Sequence, residues 1–92
     1  MKENLISIIM NCHNGEKYLS LSVQSIIDQK YVNWELIFFD NQSTDNSLSK
    51  IKNFKDSRIK IFKSSKKLSL YNARNEAIKF ARGDFISFLD TD

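Results

Sequence analysis

Short apolar runs and amphipathic stretches take turns along this chain, and that alternation leaves few folds open. Residues 5–10 are nearly all apolar and rich in β-branched side chains, as a strand buried on both faces requires. Residues 34–39 form a second such run, 58–62 a weaker third and 85–89 a fourth. In the third, Ile59 and Ile61 alternate with Lys60, the pattern of an edge strand with one wet face. Lysine there also discourages edge-to-edge pairing. Between the first two runs, residues 16–29 carry Leu19, Val23, Ile26 and Ile27 at helical spacing. Asn14 is the expected N-cap, and Glu16 adds favourable charge to the first turn. A second helix is expected over 45–54, capped by Ser43 or Thr44 and burying Leu48 and Ile51. A third is expected over 70–82, burying Ala73, Ala77 and Ile78. Gly83 would close it in a left-handed cap, with Arg82 favouring the helix's negative end.

The resulting order, βαβαβαβ, predicts a three-layer, Rossmann-like α/β fold. Its sheet would be parallel, with right-handed crossovers and helices on both faces. The commonest layout puts the fourth strand beside the first, giving strand order 3-2-1-4 and a switch point between strands 1 and 4. Ligands of such open sheets bind beyond the carboxyl ends of the strands at that point. Asn11-Cys12-His13-Asn14 follows strand 1, Asp40-Asn41-Gln42-Ser43 follows strand 2, and Asp90-Thr91-Asp92 follows strand 4. All three polar clusters therefore fall on one sheet edge, and this coincidence is the main argument for a binding site.

Ninety-two residues without proline, repeats or a linker make one small domain. No apolar run approaches the ~20 residues needed to cross a bilayer. The first residues lead into strand 1 without the small-residue cleavage site of a signal peptide, so a cytoplasmic location is expected. A lone cysteine, Cys12, rules out an internal disulfide and any multi-cysteine metal site. The net charge of +3 is unevenly spread: Lys50, Lys52, Lys55, Arg58, Lys60, Lys63, Lys66 and Lys67 are opposed in their stretch only by Asp56. Most of this reads as a solvated helix face and edge strand. Its functional reading is contact with anionic lipid headgroups, at the inner face of the membrane, or with a phosphate-bearing substrate. Nucleic acid is not an expected partner, because Phe54 and Phe62 are spaced as core positions rather than interleaved with the basic residues.

Two carboxylates two residues apart, just past a buried strand, can aim together at a hard cation such as Mg²⁺ or Mn²⁺. Such a cation completes its shell with water and substrate phosphates, and it neutralises a diphosphate leaving group. An isolated D-x-D pair is common in turns; its place after residues 85–89 is what gives Asp90 and Asp92 weight. Asp40 reads either as a turn aspartate before Ser43 and Thr44 or as an acceptor for a nucleobase or ribose, and spacing leaves both open. His13 is the only histidine, and strand alternation points it away from Cys12, so the two cannot form a nucleophile–base pair. His13 is instead expected to line the cleft, and Cys12 to fill a small buried space. Arg74, whose neighbours include Glu76 and Asp84, is either solvated, ion-paired or set to hold a phosphate or base carbonyl. The turn after strand 1 has only Gly15, so the G-x-G-x-x-G fingerprint of dinucleotide-dependent oxidoreductases is absent.

The stretch from Ser7-Ile8-Ile9-Met10-Asn11-Cys12-His13-Asn14-Gly15 through Tyr18-Leu19 resembles the opening of family 2 glycosyltransferases, which have the GT-A fold. So do Ser25-Ile26-Ile27-Asp28-Gln29, Trp34-Glu35-Leu36-Ile37-Phe38-Phe39-Asp40-Asn41-Gln42-Ser43, Ala73-Arg74-Asn75, Ala81-Arg82-Gly83-Asp84-Phe85 and Phe88-Leu89-Asp90-Thr91-Asp92. The resemblance is in order and spans essentially the whole chain. It implies a metal-dependent, inverting transfer of a sugar from a nucleotide-sugar, UDP-linked in the usual case, to a glycan or lipid-linked acceptor in cell-surface polysaccharide synthesis. It also implies roles. Asn11, His13 and Asn14 would line the nucleotide pocket, Asp40 and Asn41 would bind the base, and Arg74 would lie near the nucleotide. Asp90 would face the ribose and metal, and Asp92 would be the direct metal ligand. Asn11 stands where proline is frequent, Asn41-Gln42 where Asp-Gly is frequent, and Ser69 where glycine is frequent. The family's acceptor segment and catalytic base lie beyond its D-x-D motif. Residues 1–92 are therefore expected to be the donor-binding part of a GT-A domain, inactive alone. The alternative is a non-catalytic nucleotide-binding or assembly module.

Overall fold

The computed structural model describes residues 4–91, so Asp92 lies outside the described residues. Seven elements follow in the expected order: β1 (Ile6–Cys12), α1 (Glu16–Asp28), β2 (Trp34–Asp40), α2 (Ser47–Lys52), β3 (Ile59–Lys63), α3 (Leu70–Ile78) and β4 (Phe85–Phe88). They form one parallel sheet of order β3-β2-β1-β4. Alternation along the central strands sorts side chains to two faces. Ile8, Met10 and Cys12 of β1 pack with Trp34, Leu36 and Phe38 of β2 against Leu19, Val23 and Ile26 of α1 and Ile51 of α2. On the other face, Ile9, Ile37 and Phe39 meet Ala73 and Ala77 of α3. The small residues of α3 let it lie close to the sheet. β2 is buried along its whole length, whereas the four residues of β4 are all exposed.

The helix ends differ from the sequence expectation. α2 begins at Ser47 rather than 45, with Asn46 and not Ser43 or Thr44 at its N-cap, because both of those groups bond across to the β1–α1 loop. It buries Ser47 and Ile51, while Leu48 is half-buried at the margin of the core. The N-cap of α1 is Gly15, and Asn14 is used elsewhere. α3 stops at Ile78, and Gly83 does not have a positive φ. Gly83 is required for space instead: a Cβ there would stand 2.6 Å from Ser7 Oγ and 2.7 Å from both Leu5 O and Ser7 N.

That close approach belongs to a buried polar network. Glu35, 2% exposed near the start of β2, accepts hydrogen bonds from Ser7 Oγ at 2.5 Å, from the Arg82 N–H at 2.6 Å and from Lys60 Nζ at 2.9 Å. The Gly83 N–H donates in turn to Ser7 Oγ at 2.7 Å. Burial pushes the Glu35 carboxyl upward, but the donors from Ser7, Arg82 and Lys60 outweigh it and hold the group below the usual glutamate range. One carboxylate thus ties three neighbouring strands to the connection that leads into β4.

Candidate functional site

The loop after β1 turns at Asn14, whose φ of 55° is left-handed, a conformation asparagine adopts more readily than most residues. Turned this way, Asn14 Oδ1 accepts from the N–H of Thr44 at 2.7 Å and of Asp45 at 3.2 Å. Its own N–H donates to Ser43 Oγ at 2.9 Å. The Glu16 N–H donates to Asp45 Oδ2, and Asp45 Oδ1 accepts from both the N–H and the hydroxyl of Ser47. Burial raises the Asp45 carboxyl, yet these donors prevail and its pKa lies below the ordinary aspartate value. The loops after β1 and β2 are therefore one stitched unit.

The loop after β3 is fastened to the same unit. Asn41 is buried; its Nδ2 donates to Leu68 O at 2.8 Å and its Oδ1 accepts from the Leu68 N–H at 2.8 Å. Ser64 N–H donates to Asp40 O at 3.0 Å. Exposed His13 has its Nδ1 2.8 Å from the Asn41 carbonyl, which can only accept, so Nδ1 carries a proton. Ser69 caps α3 by accepting from the Asn72 N–H, which sets Leu70 at the rim.

Two adjoining cavities result, sharing Asn11, His13 and Leu70. One, of about 320 Å³, extends over Asn41, Lys67 and Ser69. The other, of about 290 Å³, extends over Asn14, Gly15, Asp90 and Thr91. Together they make a trough beyond the carboxyl ends of β1 and β4, at the switch point of the sheet. Asn11, His13, Asn14, Asn41 and Asp90 line it. Asp40 and Arg74 do not. Asp40, 2% exposed at the end of β2, sits behind the trough with its Oδ1 lacking a hydrogen-bond partner. Arg74 stands beside it, Nη2 3.8 Å from Asp90 Oδ1 and its guanidinium 5.4 Å from the centre of the Phe88 ring. The arginine therefore pairs with Asp90 rather than with Glu76 or Asp84, which bond to Lys79 and the Leu5 N–H.

Sequence reasoning passed over Lys67, Ser69, Leu70 and Thr91 as lining residues. The signal for three of them was available, since the β3–α3 loop leaves the same sheet edge. Thr91 is buried against Gly15, where a Cβ would stand 2.8 Å from Thr91 Cβ and 3.1 Å from Cys12 Sγ. Glycine at that position lets the residues after β4 close down on the β1 loop.

Among the described residues no group of three or more metal-ligating acids, histidines or cysteines converges. Asp90 does present a hard oxygen donor, its side chain 68% exposed at the trough. Mg²⁺-type ions are held by one or two carboxylates together with substrate phosphates, so this donor fits such an ion.

The chain matches the family model described as glycosyl transferase family 2 over residues 7–92. Two Escherichia coli relatives carry the name UDP-Glc:alpha-D-GlcNAc-diphosphoundecaprenol beta-1,3-glucosyltransferase. WfgD is 45% identical over 92 residues, covering 100% of this chain and 36% of its own length. WfaP is 40% identical over 88 residues, covering 96% and 35%. Among solved structures, Staphylococcus aureus TarS in complex with UDP-GlcNAc superposes with a TM-score of 0.86 at 27% identity, over 95% of this chain and 26% of TarS 1-349. A mannosyltransferase from Pyrobaculum calidifontis, solved with GDP-Man and Mn²⁺, has a TM-score of 0.90 over 99% of this chain and 28% of its own. At 20% identity, it shows the shared GT-A fold alone. The chain thus spans roughly a third of the curated relatives and a quarter of the solved proteins it resembles. A four-stranded sheet of order 3-2-1-4, a trough at its switch point and a family match over nearly the whole chain agree: this protein belongs to glycosyltransferase family 2.

Proposed function

We propose that this chain is the donor-binding part of a metal-dependent, inverting glycosyltransferase that takes a sugar from a UDP-sugar to a lipid-linked acceptor in cell-surface polysaccharide synthesis. One observation carries the reading: the hydrogen-bonded loops after β1 and β2 hold His13 and Asn41, and the segment after β4, packed on Gly15 through Thr91, brings Asp90 to the same trough. The names of the Escherichia coli relatives and the UDP-GlcNAc complex of TarS support UDP as the nucleotide. The carrier-linked acceptor rests on those same relatives.

In this reading His13 offers a flat ring beside the base and Asn11 an amide group to its edge, while Asn41, its amide bonded to Leu68, holds the pocket's wall in place. Asp40 keeps a free carboxylate oxygen for an N–H donor of the base or a ribose hydroxyl, reached by a small shift of the β2 loop. Asp90, with Asp92, would hold Mg²⁺ or Mn²⁺, which supplies charge neutralisation for the departing diphosphate. Arg74 exchanges its 3.8 Å contact with Asp90 for a phosphate oxygen, to which its fork of donors is suited. An acceptor hydroxyl attacks the sugar's anomeric carbon opposite the breaking bond to phosphate. The base that takes its proton is assigned to the longer protein, at the cytoplasmic face of the membrane.

The test is a UDP titration of the chain followed by amide shifts, with Mn²⁺ replaced by Mg²⁺ for NMR. Shifts are expected at His13, Asn41 and Thr91, with affinity at least tenfold higher when the cation is present and that gain lost in Asp90→Asn. UDP binding indifferent to both the cation and Asp90 would sink the metal assignment. No binding at the trough in the longer protein would sink the donor site. A second reading, a nucleotide-binding or assembly module without transfer, draws on the exposed Phe85, Ile86 and Phe88 of β4. Donor hydrolysis by the longer protein would exclude it.

A further inference from the structure

The basic stretch of residues 50–67 is less uniform than its sequence suggests. Arg58 is held by Asp56 and stacked 3.8 Å from the centre of the Trp34 ring, Lys60 is bound to Glu35, and Lys50 donates to the Glu16 carbonyl. Lys63, Lys66 and Lys67, by contrast, are exposed, and their side chains make no ion pair or hydrogen bond among the described residues. They sit at the end of β3 and in the loop after it, on the same sheet edge as the trough.

Beneath Lys63 and Lys66 lies a separate cavity of about 390 Å³. Its floor is apolar, made by Phe39, Leu68 and Phe80. Phe80 is 40% exposed, and its ring is stacked 3.8 Å from that of Phe62, which fixes it as a flat wall. The one acid at the cavity, Glu76, is already neutralised by Lys79 at 2.9 Å. Leu68 lines both this cavity and the trough, so the two adjoin. Unpaired cations over an apolar floor suit a ligand that has an anionic head and an apolar body. A free inorganic anion would use only the lysines, and a neutral apolar ligand only the floor.

We propose that this cavity is a second binding site, distinct from the donor trough, for the phosphate-bearing head of an amphiphile. Lys63 and Lys66 take the phosphate and Leu68 and Phe80 the first apolar segment behind it. The proposal deepens the acceptor side of the function proposed above and rests on that reading for the ligand's role in transfer. Its binding claim is tested alone.

The probes are short-chain dihexanoyl phosphatidate below its micelle concentration, dihexanoyl phosphatidylcholine as the zwitterionic match, and inorganic phosphate. Amide shifts of the 92-residue chain report the site. Saturable shifts at Ser64, Ser65 and Leu68 are expected with phosphatidate, with phosphatidylcholine and inorganic phosphate each binding at least tenfold more weakly. Lys63→Ser/Lys66→Ser should weaken phosphatidate roughly tenfold or more, and Phe80→Ala severalfold. Lys52→Ser/Lys55→Ser, on the far side of the basic stretch, should leave binding unchanged. Equal loss in that control pair would reduce the effect to net charge and overturn the proposal. So would inorganic phosphate matching phosphatidate, or phosphatidate binding unaffected by Phe80→Ala in a variant whose spectrum remains folded. UDP shifts at His13 and Asn41 are read in the same samples, so failure of the donor site and failure of this site are separate results.

Discussion

At the scale of single residues, Glu35 and Gly83 determine more than their types suggest. Because the folded carboxyl of Glu35 titrates below its unfolded value, the stability it contributes is present above about pH 4.5. It is lost as the pH falls through the lower folded value. Glu35→Gln is therefore expected to lose about 1–2 kcal/mol at pH 7 and to show a flatter stability profile between pH 5 and pH 3. Urea unfolding at several pH values checks this; parallel profiles for the two proteins would refute it. Gly83→Ala meets backbone atoms of residues 5 and 7 that cannot yield cheaply, and a loss of about 2–3 kcal/mol is expected from the same measurement. Asp40 shows where a residue's meaning was only half legible. Its position after an apolar run was plain from the sequence, but its orphaned oxygen depends on what surrounds it in the fold.

Between elements, the decisive contacts are those that join loops. Asn14→Ala should cost about 2–3 kcal/mol, because it removes the oxygen that accepts from two N–H groups and puts alanine, which tolerates the left-handed region less well than asparagine, at that turn. Asn14→Gly restores the backbone but not the hydrogen bonds, so its cost should be about 1 kcal/mol smaller. Thermal melts of the two variants give the comparison, and equal losses would show that the left-handed turn carries no strain. Ser69→Ala at the start of α3 should cost about 1 kcal/mol. Strand identity was readable because β1 and β2 are buried on both faces and so are continuous in apolar residues. The starts of α1 and α3 were readable too, but the N-caps of α1 and α2 and the start of α2 were not, because Asn14, Ser43 and Thr44 have good capping chemistry that is used between loops. A charge within the second apolar run, Glu35, was the visible trace of the buried network.

For the whole molecule, the arrangement of the sheet followed from the alternation of elements and from the handedness of parallel crossovers, which leave few orders open. The trough was legible as an edge, since three polar clusters had to emerge there. Its neighbouring cavity was not, because it depends on Phe62 and Phe80 stacking from elements distant in sequence. A small domain with this much exposed apolar strand should be sensitive to ligand. With UDP at a hundredfold excess over its dissociation constant, linkage adds about 2.7 kcal/mol, a rise in Tm of about 10 °C or more. Removing the cation with EDTA should abolish about half of that rise or more, and calorimetry with and without chelator tests it.

The joint formed by Arg82, Gly83 and Ser7 also governs which amide protons leave the protein slowly. β4 is exposed along its length, and by exposure alone its surroundings should exchange within the time of local fraying. Yet the N–H groups of Arg82 and Gly83 are spent on Glu35 and Ser7 in the central strands. Freeing either proton means breaking a bond to a side chain buried in the central strands, so both are expected to exchange more slowly than the amides of β4, two slow amides at the foot of a fast strand.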